Sequence, residues 1–142
     1  MTWKLTTEEI VKYWELIKYG VNQVEKPSNP ETYFIGYLKE LLLGNLICAF
    51  LMDEKRTIKM MLVCKVTEGF GKERSLVLLT IYGFIPTTDH EKAEGWTFLM
   101  KFAKNKEVSW IIAQPSHQRI EQLTAMLGFE KVHDVYRLKI GE

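Results

Sequence analysis

Apolar residues recur at Ile10, Trp14, Ile17 and Val21, the three-and-four spacing of a single helical face. Thr6 and Glu9 stand just ahead of that face with the spacing of a capping box, which sets where the helix begins. Residues 1–5 before it predict a short strand. Lys26-Pro27-Ser28-Asn29-Pro30 reads as a loop, with Ser28 or Asn29 capping a second helix and Pro30 in its first turn. Phe34, Leu38 and Leu41 give that helix a buried stripe, and Gly44 predicts its end.

The pattern then shifts to shorter apolar runs. Residues 45–52 (NLICAFLM) and 57–66 (TIKMMLVCKV) flank the polar turn Asp53-Glu54-Lys55-Arg56, a hairpin signature. Residues 67–73 hold two glycines and turn the chain again. Residues 75–84 (SLVLLTIYGF) are apolar nearly throughout, which predicts a strand covered on both faces. Gly83 inside that run suggests a bulge or a close backbone approach.

A third helix follows, with Trp96, Leu99, Met100 and Ala103 on one face. Residues 108–113 (VSWIIA) predict another buried strand. Residues 116–127 predict a fourth helix, with Ile120, Leu123 and Leu127 inward and Gly128 ending it, and residues 135–140 a last strand. The order is β-α-α-β-β-β-α-β-α-β, hairpins first and a strand-helix-strand crossover later. This is an α/β (α+β) class, expected as one domain over residues 1–142: a mixed, mostly antiparallel sheet with helices on both faces.

Composition narrows the function classes. The 142 residues are 46% hydrophobic and 26% charged, as in a globular chain able to bury a core. A net charge of +1 gives no field for nucleic acid or anionic lipid. No apolar run approaches the roughly 20 residues needed to span a bilayer. The start MTWKLTTEEI lacks a basic-then-apolar leader pattern, so a cytoplasmic protein is expected. The two cysteines, Cys48 and Cys64, fall in the strands of one hairpin and are expected as free buried thiols. His90, His117 and His133 share no metal-ligand spacing, so no metal is expected, and no G-x-S-x-G elbow is present. Tyr13 and Tyr19 lie off the Ile10–Trp14–Ile17 face and are the candidates for a partner-binding surface. The oligomeric state stays open.

The element order, together with the ending GFEKVHDVYRLKI, resembles the GCN5-related N-acetyltransferase (GNAT) superfamily. The matching features are Gly128-Phe129 after a helix and Tyr136-Arg137-Leu138 in a closing strand. The opening WKLTTEEI with its Trp14 helix also resembles small phage-encoded GNAT-like proteins, which implies a bacterial host cytoplasm or a virion as the setting.

The family resemblance implies that acetyl-CoA lies across two splayed central strands. Backbone at Tyr82, Gly83, Phe84 and Ile85 would then meet the pantetheine arm. The pyrophosphate would sit on the next helix N-terminus, in a loop of the form Arg/Gln-x-x-Gly-x-Gly/Ala. Laid on this chain, that loop is His90-Glu91-Lys92-Ala93-Glu94-Gly95. Gly95 matches, Ala93 is a small residue in place of glycine, and His90 stands where Arg or Gln is usual. Thr124 occupies the position of the family's general-acid tyrosine, which leaves Tyr82 and His117 beside it as catalytic candidates. The family's base is a glutamate near the acceptor-facing strands, and residues 75–84 contain no acid.

Two readings of DHEKAEGW (residues 89–96) follow. Free N–H groups and the helix dipole attract an anion, but Asp89, Glu91 and Glu94 crowd the same turn. Two like charges about 5 Å apart repel by roughly 3 kcal/mol at an effective dielectric near 20. Alternatively Thr88 and Glu91 form a capping box, with the acids favouring the dipole by about 0.3–1 kcal/mol each. Two functions fit these readings. One is acetyl transfer from acetyl-CoA to an amine. The other is a catalytically inactive GNAT-like domain, serving as a virion-associated structural module or one that binds a virion or host protein.

Overall fold

The structure is a computed structural model that describes residues 1–69 and 71–113. The expected helix at 116–127 and strand at 135–140 lie outside the described residues, and with them His117, Thr124, Gly128 and His133. Within them the order is β1 (Thr2–Lys4), α1 (Thr7–Lys12), α2 (Trp14–Glu25), α3 (Pro30–Leu42), β2 (Ile47–Met52), β3 (Ile58–Glu68), β4 (Arg74–Gly83), α4 (Asp89–Asn105) and β5 (Trp110–Ala113). The strands form one sheet in the order β1-β2-β3-β4-β5, antiparallel except for the parallel β4–β5 pair. The parallel pair is what the strand-helix-strand crossover through α4 requires. No helix among the described residues is long and apolar enough to cross a membrane.

The first predicted helix is two. Thr6 caps α1 through the expected reciprocal bonds with Glu9, but the chain bends at Tyr13 (φ −101°, ψ 14°) before α2 begins. The bend keeps Ile10, Ile17 and Val21 all on the core. It also turns the Tyr13 ring edge-on to Phe50 at 5.4 Å. Tyr13 is therefore packed inward, a correction to its expected place on an outer surface. Tyr19 does stay outside, 53% exposed.

Two apolar clusters lie on opposite faces of the sheet. One joins Ile10, Ile17, Val21, Phe34 and Leu41 to Cys48, Phe50, Met61 and Val63. The other joins Cys64, Leu76 and Leu78 to Leu99 and Ala103 of α4. Cys48 and Cys64 thus belong to different faces, and both are free. On α4 the inward residues are Leu99, Ala103 and the half-buried Trp96 and Phe102, whereas Met100 points outward. Helical rotation explains the exchange: Phe102 lies three positions beyond Leu99. In β5, expected as buried, Trp110 and Ile112 are exposed while Ile111 and Ala113 pack beneath α4.

Candidate functional site

The site is built around one irregularity. Along β4, Leu78 pairs with Cys64 and Thr80 with Val63, so Leu79 is an extra residue with no partner on β3. The bulge is at Leu79 rather than at Gly83, where sequence reasoning expected it; Gly83 closes the strand in open space. An unpaired residue drops out of the alternation, so side chains an even number apart across it meet opposite sides of the sheet. Leu76 and Leu78 pack under α4, whereas Thr80 meets α2 and α3 and Tyr82 packs in their cluster.

On its other edge β4 pairs with β5, from Ser75↔Trp110 to Leu78↔Ala113, the last described residue.

Thr80 is the one buried polar residue among those described, at 1% exposure. Its hydroxyl donates to Glu25 Oε1 at 3.1 Å and lies 3.4 Å from the Tyr37 hydroxyl. Burial, the largest influence, raises the Tyr37 phenol well above its ordinary range, with Glu25 adding to it. Tyr33 is raised by the same two causes in the same order. Glu25 is thus the carboxylate that residues 75–84 lack. Sequence reasoning missed it because it ends a helix 55 residues earlier; nothing local links it to Thr80.

Two residues on, Tyr82 is half-buried between Tyr19 (6.1 Å, edge-on) and Phe84 (5.1 Å, edge-on). Desolvation, then its hydrogen bond with Tyr19, pushes the Tyr82 phenol upward. Gly20 lets α2 come this close: a Cβ there would lie 2.7 Å from Met61 Cε and 3.4 Å from Tyr82 Cδ2. The N–H groups of Phe84 and Ile85 are already bonded to the Lys59 carbonyl at 2.8 and 3.3 Å.

The turn after β4 differs from the expected loop. Residues His90 to Gly95 are not a loop but the first two turns of α4, which starts at Asp89. Ala93 is exposed, and Gly95 faces Leu51 of β2 at 4.0 Å from its absent Cβ. The connection itself is Phe84-Ile85-Pro86-Thr87-Thr88, without glycine.

The expected capping box is present. Glu91 N–H donates to Thr88 Oγ1 at 3.1 Å, and Thr88 N–H donates to Glu91 Oε1 at 2.9 Å. Those bonds satisfy two of the four orphan donors of α4. The N–H groups of Asp89 and His90 have no partner among the described residues. Charge is also better balanced than the sequence suggested. Lys59 Nζ lies 2.9 Å from Glu91 Oε1, and the Met1 ammonium 2.6 Å from Glu94 Oε1. Of the three acids, Asp89 alone lacks an ion pair among the described residues. Two open donors and two neutralised carboxylates are compatible with the diphosphate of a coenzyme A arm.

No family model and no curated protein sequence matches the chain. Solved structures do. A predicted acetyltransferase from Clostridium acetobutylicum, with acetyl-CoA, superimposes with TM-score 0.73 at 13% identity, covering 99% of this chain and 96% of that one. A GNAT family acetyltransferase of Staphylococcus aureus gives 0.70 at 11%, covering 99% and 98%. An aminoglycoside antibiotic 6'-N-acetyltransferase of Acinetobacter baumannii gives 0.70 at 12%, covering 100% and 98%. At these identities the likeness establishes the fold: the chain has the architecture of GNAT acetyltransferases.

Proposed function

We propose that this protein is an N-acetyltransferase that takes an acetyl group from acetyl-CoA and passes it to an amine. The observation that carries this reading is the Leu79 bulge, which sets Thr80 and Tyr82 on the same side of the sheet as the Glu25 carboxylate. Among solved structures of similar fold is one with acetyl-CoA.

Bound acetyl-CoA would supply a thioester carbonyl and a thiol leaving group. In this reading Glu25, steadied by Thr80, receives the acceptor's ammonium and takes its proton. Tyr82 carries a phenol proton that can go to the leaving sulfur, the role that Thr124 cannot fill as well as a tyrosine. The open N–H groups of Asp89 and His90 hold the anionic arm, with Gly83, Phe84 and Ile85 beside it, whereas Ala93 and Gly95 lie further along α4. His117 keeps its place as a further candidate on the resemblance alone. The setting proposed is the cytoplasm.

The test is thermal unfolding with and without acetyl-CoA. Ligand at about 100 times its dissociation constant stabilises a fold by roughly 2.7 kcal/mol. A clear upward shift is expected, and no shift at millimolar acetyl-CoA overturns the reading. That outcome would leave the second reading, a non-catalytic module that binds a virion or host protein. The observation favouring it is that Glu91 already occupies part of the α4 N-terminus.

A further inference from the structure

We propose that the subsite between the end of α2 and the upper half of β4 takes an acceptor bearing a single ammonium on an apolar or aromatic body. This rests on the acetyl-transfer reading, whose acceptor it specifies.

Glu25 stands in an unfavourable place for a carboxylate. Glu25 is the last residue of α2, and the final turn of that helix carries no basic residue. A helix C-terminus exposes carbonyl groups and a partial negative charge, so a carboxylate there adds to the wrong sign. Lys26 follows at once, in a left-handed conformation (φ 45°), but makes no ion pair with Glu25 among the described residues. Local rules broken without compensation mark functional positions. A cation brought by a ligand would supply the compensation.

Thr80 then fixes how that carboxylate is presented. Its buried hydroxyl holds Oε1 at 3.1 Å, while Oε2 has no protein partner among the described residues. One oxygen is anchored and the other is free to accept a hydrogen bond from an ammonium.

The walls are aromatic. Tyr33 and Tyr37 stand 5.8 Å apart, tilted to one another, and both phenols feel the Glu25 charge. Tyr33 is 37% exposed, so part of it remains open to a ligand. Ammonium groups are attracted to such rings as well as to the carboxylate. Further along the same face of β4, Tyr19 lies edge-on to Tyr82 and is itself half exposed, an apolar rest for the acceptor's body.

The count of charges sets the class. Glu25 is the only carboxylate among the described residues shown to reach Thr80 and the two tyrosines. A monoamine finds its full counter-charge there, while a polycation such as an aminoglycoside has no second carboxylate to meet among the described residues at this wall.

Calorimetric titration of the full chain separates the cases without requiring turnover. The probes are 2-phenylethylamine, its uncharged analogue 2-phenylethanol, and the aminoglycoside kanamycin, each with and without coenzyme A. Expected is measurable binding of the amine, at least tenfold weaker binding of the alcohol and of kanamycin, and a tenfold or greater loss for Glu25→Gln. Tyr33→Leu, which removes only a wall, is expected to weaken the amine several-fold. Equal binding of amine and alcohol, tighter binding of kanamycin, or an unchanged affinity in Glu25→Gln overturns the proposal. The acetyl-CoA thermal shift is read separately. Its absence sinks the acetyl-transfer reading, whereas its persistence beside an indifferent Glu25→Gln sinks the subsite alone.

Discussion

Glu91 Oε1 accepts two bonds at once, from the Thr88 N–H and from Lys59 Nζ, each at 2.9 Å. Lys59 is itself an extra residue in the β2–β3 ladder, between the pairs Leu51↔Met60 and Met52↔Ile58. One carboxylate therefore caps α4 and ties it to an irregular point of the sheet, next to the donors proposed for the cofactor. Glu91→Gln frees the Lys59 ammonium and removes a negative charge. Acetyl-CoA should then bind several-fold more tightly, while Lys59→Met, which leaves Glu91 unmatched, should weaken binding about tenfold. Isothermal titration decides, and equal affinities in both variants would contradict the proposed competition.

The same carboxylate sets an acid limit. Glu91 is held below its usual 4.5 by the Thr88 backbone bond first and by Lys59 next, and Glu9 is lowered chiefly by the Thr6 backbone bond. Donors that favour the charged form lower the folded-state value relative to the unfolded chain. Their contribution is complete above the unfolded value and is lost as pH falls through the folded one. Melting temperature should hold near neutrality and fall below pH 4.5, and the fall should be shallower in Glu91→Gln. An identical acid profile in that variant would refute the assignment.

Thr80 and Tyr37 touch, yet their removal should not be equivalent. Thr80→Val keeps the shape but strands the buried Tyr37 hydroxyl and gives up the bond to the exposed Glu25 carboxylate, a loss of about 1–3 kcal/mol. Tyr37→Phe leaves Thr80 bonded to Glu25 and should cost about 1 kcal/mol or less. Urea unfolding of both variants gives the order, and the reverse order would mean that Tyr37, not Glu25, is the main partner.

At Gly20 two effects oppose one another. Alanine gains about 1 kcal/mol of helix propensity, but its Cβ crowds Met61 Cε, a flexible tip that can move. Gly20→Ala should therefore be nearly neutral. Gly20→Val adds branches toward Phe84 and Tyr82, and should destabilise by about 1–3 kcal/mol through overpacking. Denaturant midpoints check this, together with the acetyl-CoA shift, which should shrink in the valine variant as Tyr82 is displaced.

Burial pushes both thiols, Cys48 and Cys64, up to about 12. They face opposite sides of the sheet, so oxidation cannot join them without unfolding. A thiol reagent should find none in the native protein and two in denaturant. Fast modification of either in the native state would contradict the burial described.

Much of this fold was legible in the chain because its signals are local. The capping boxes at Thr6 and Thr88, the polar turn after Met52 and the apolar run of β4 each declare themselves within a few residues. What failed to show depends on partners distant in sequence. The Tyr13 bend answers to Phe50, and the inward face of α4 is set by the sheet beneath it. The bulge at Leu79 exists only relative to the pairing of β3, so the glycine nearby drew attention to the wrong residue. Glu25 is invisible for the same reason, since its meaning comes from Thr80. The start of α4 was legible as a capped helix, but its charge balance was not, because Lys59 and the Met1 ammonium are distant in sequence.

The extra residue in β4 matters by standing outside the ladder. Replacing Leu79 by another apolar residue would leave the alternation beyond it untouched. Deleting it would also leave the later side chains on their present faces, because Thr80 already opposes Val63, the neighbour of Cys64. Drawing Leu79 into the ladder would be different: Thr80 and Tyr82 would turn to the α4 side, and Ile81 would come round to face Glu25 and Tyr37. The hydroxyls and the carboxylate share a side because one residue is left out of the count.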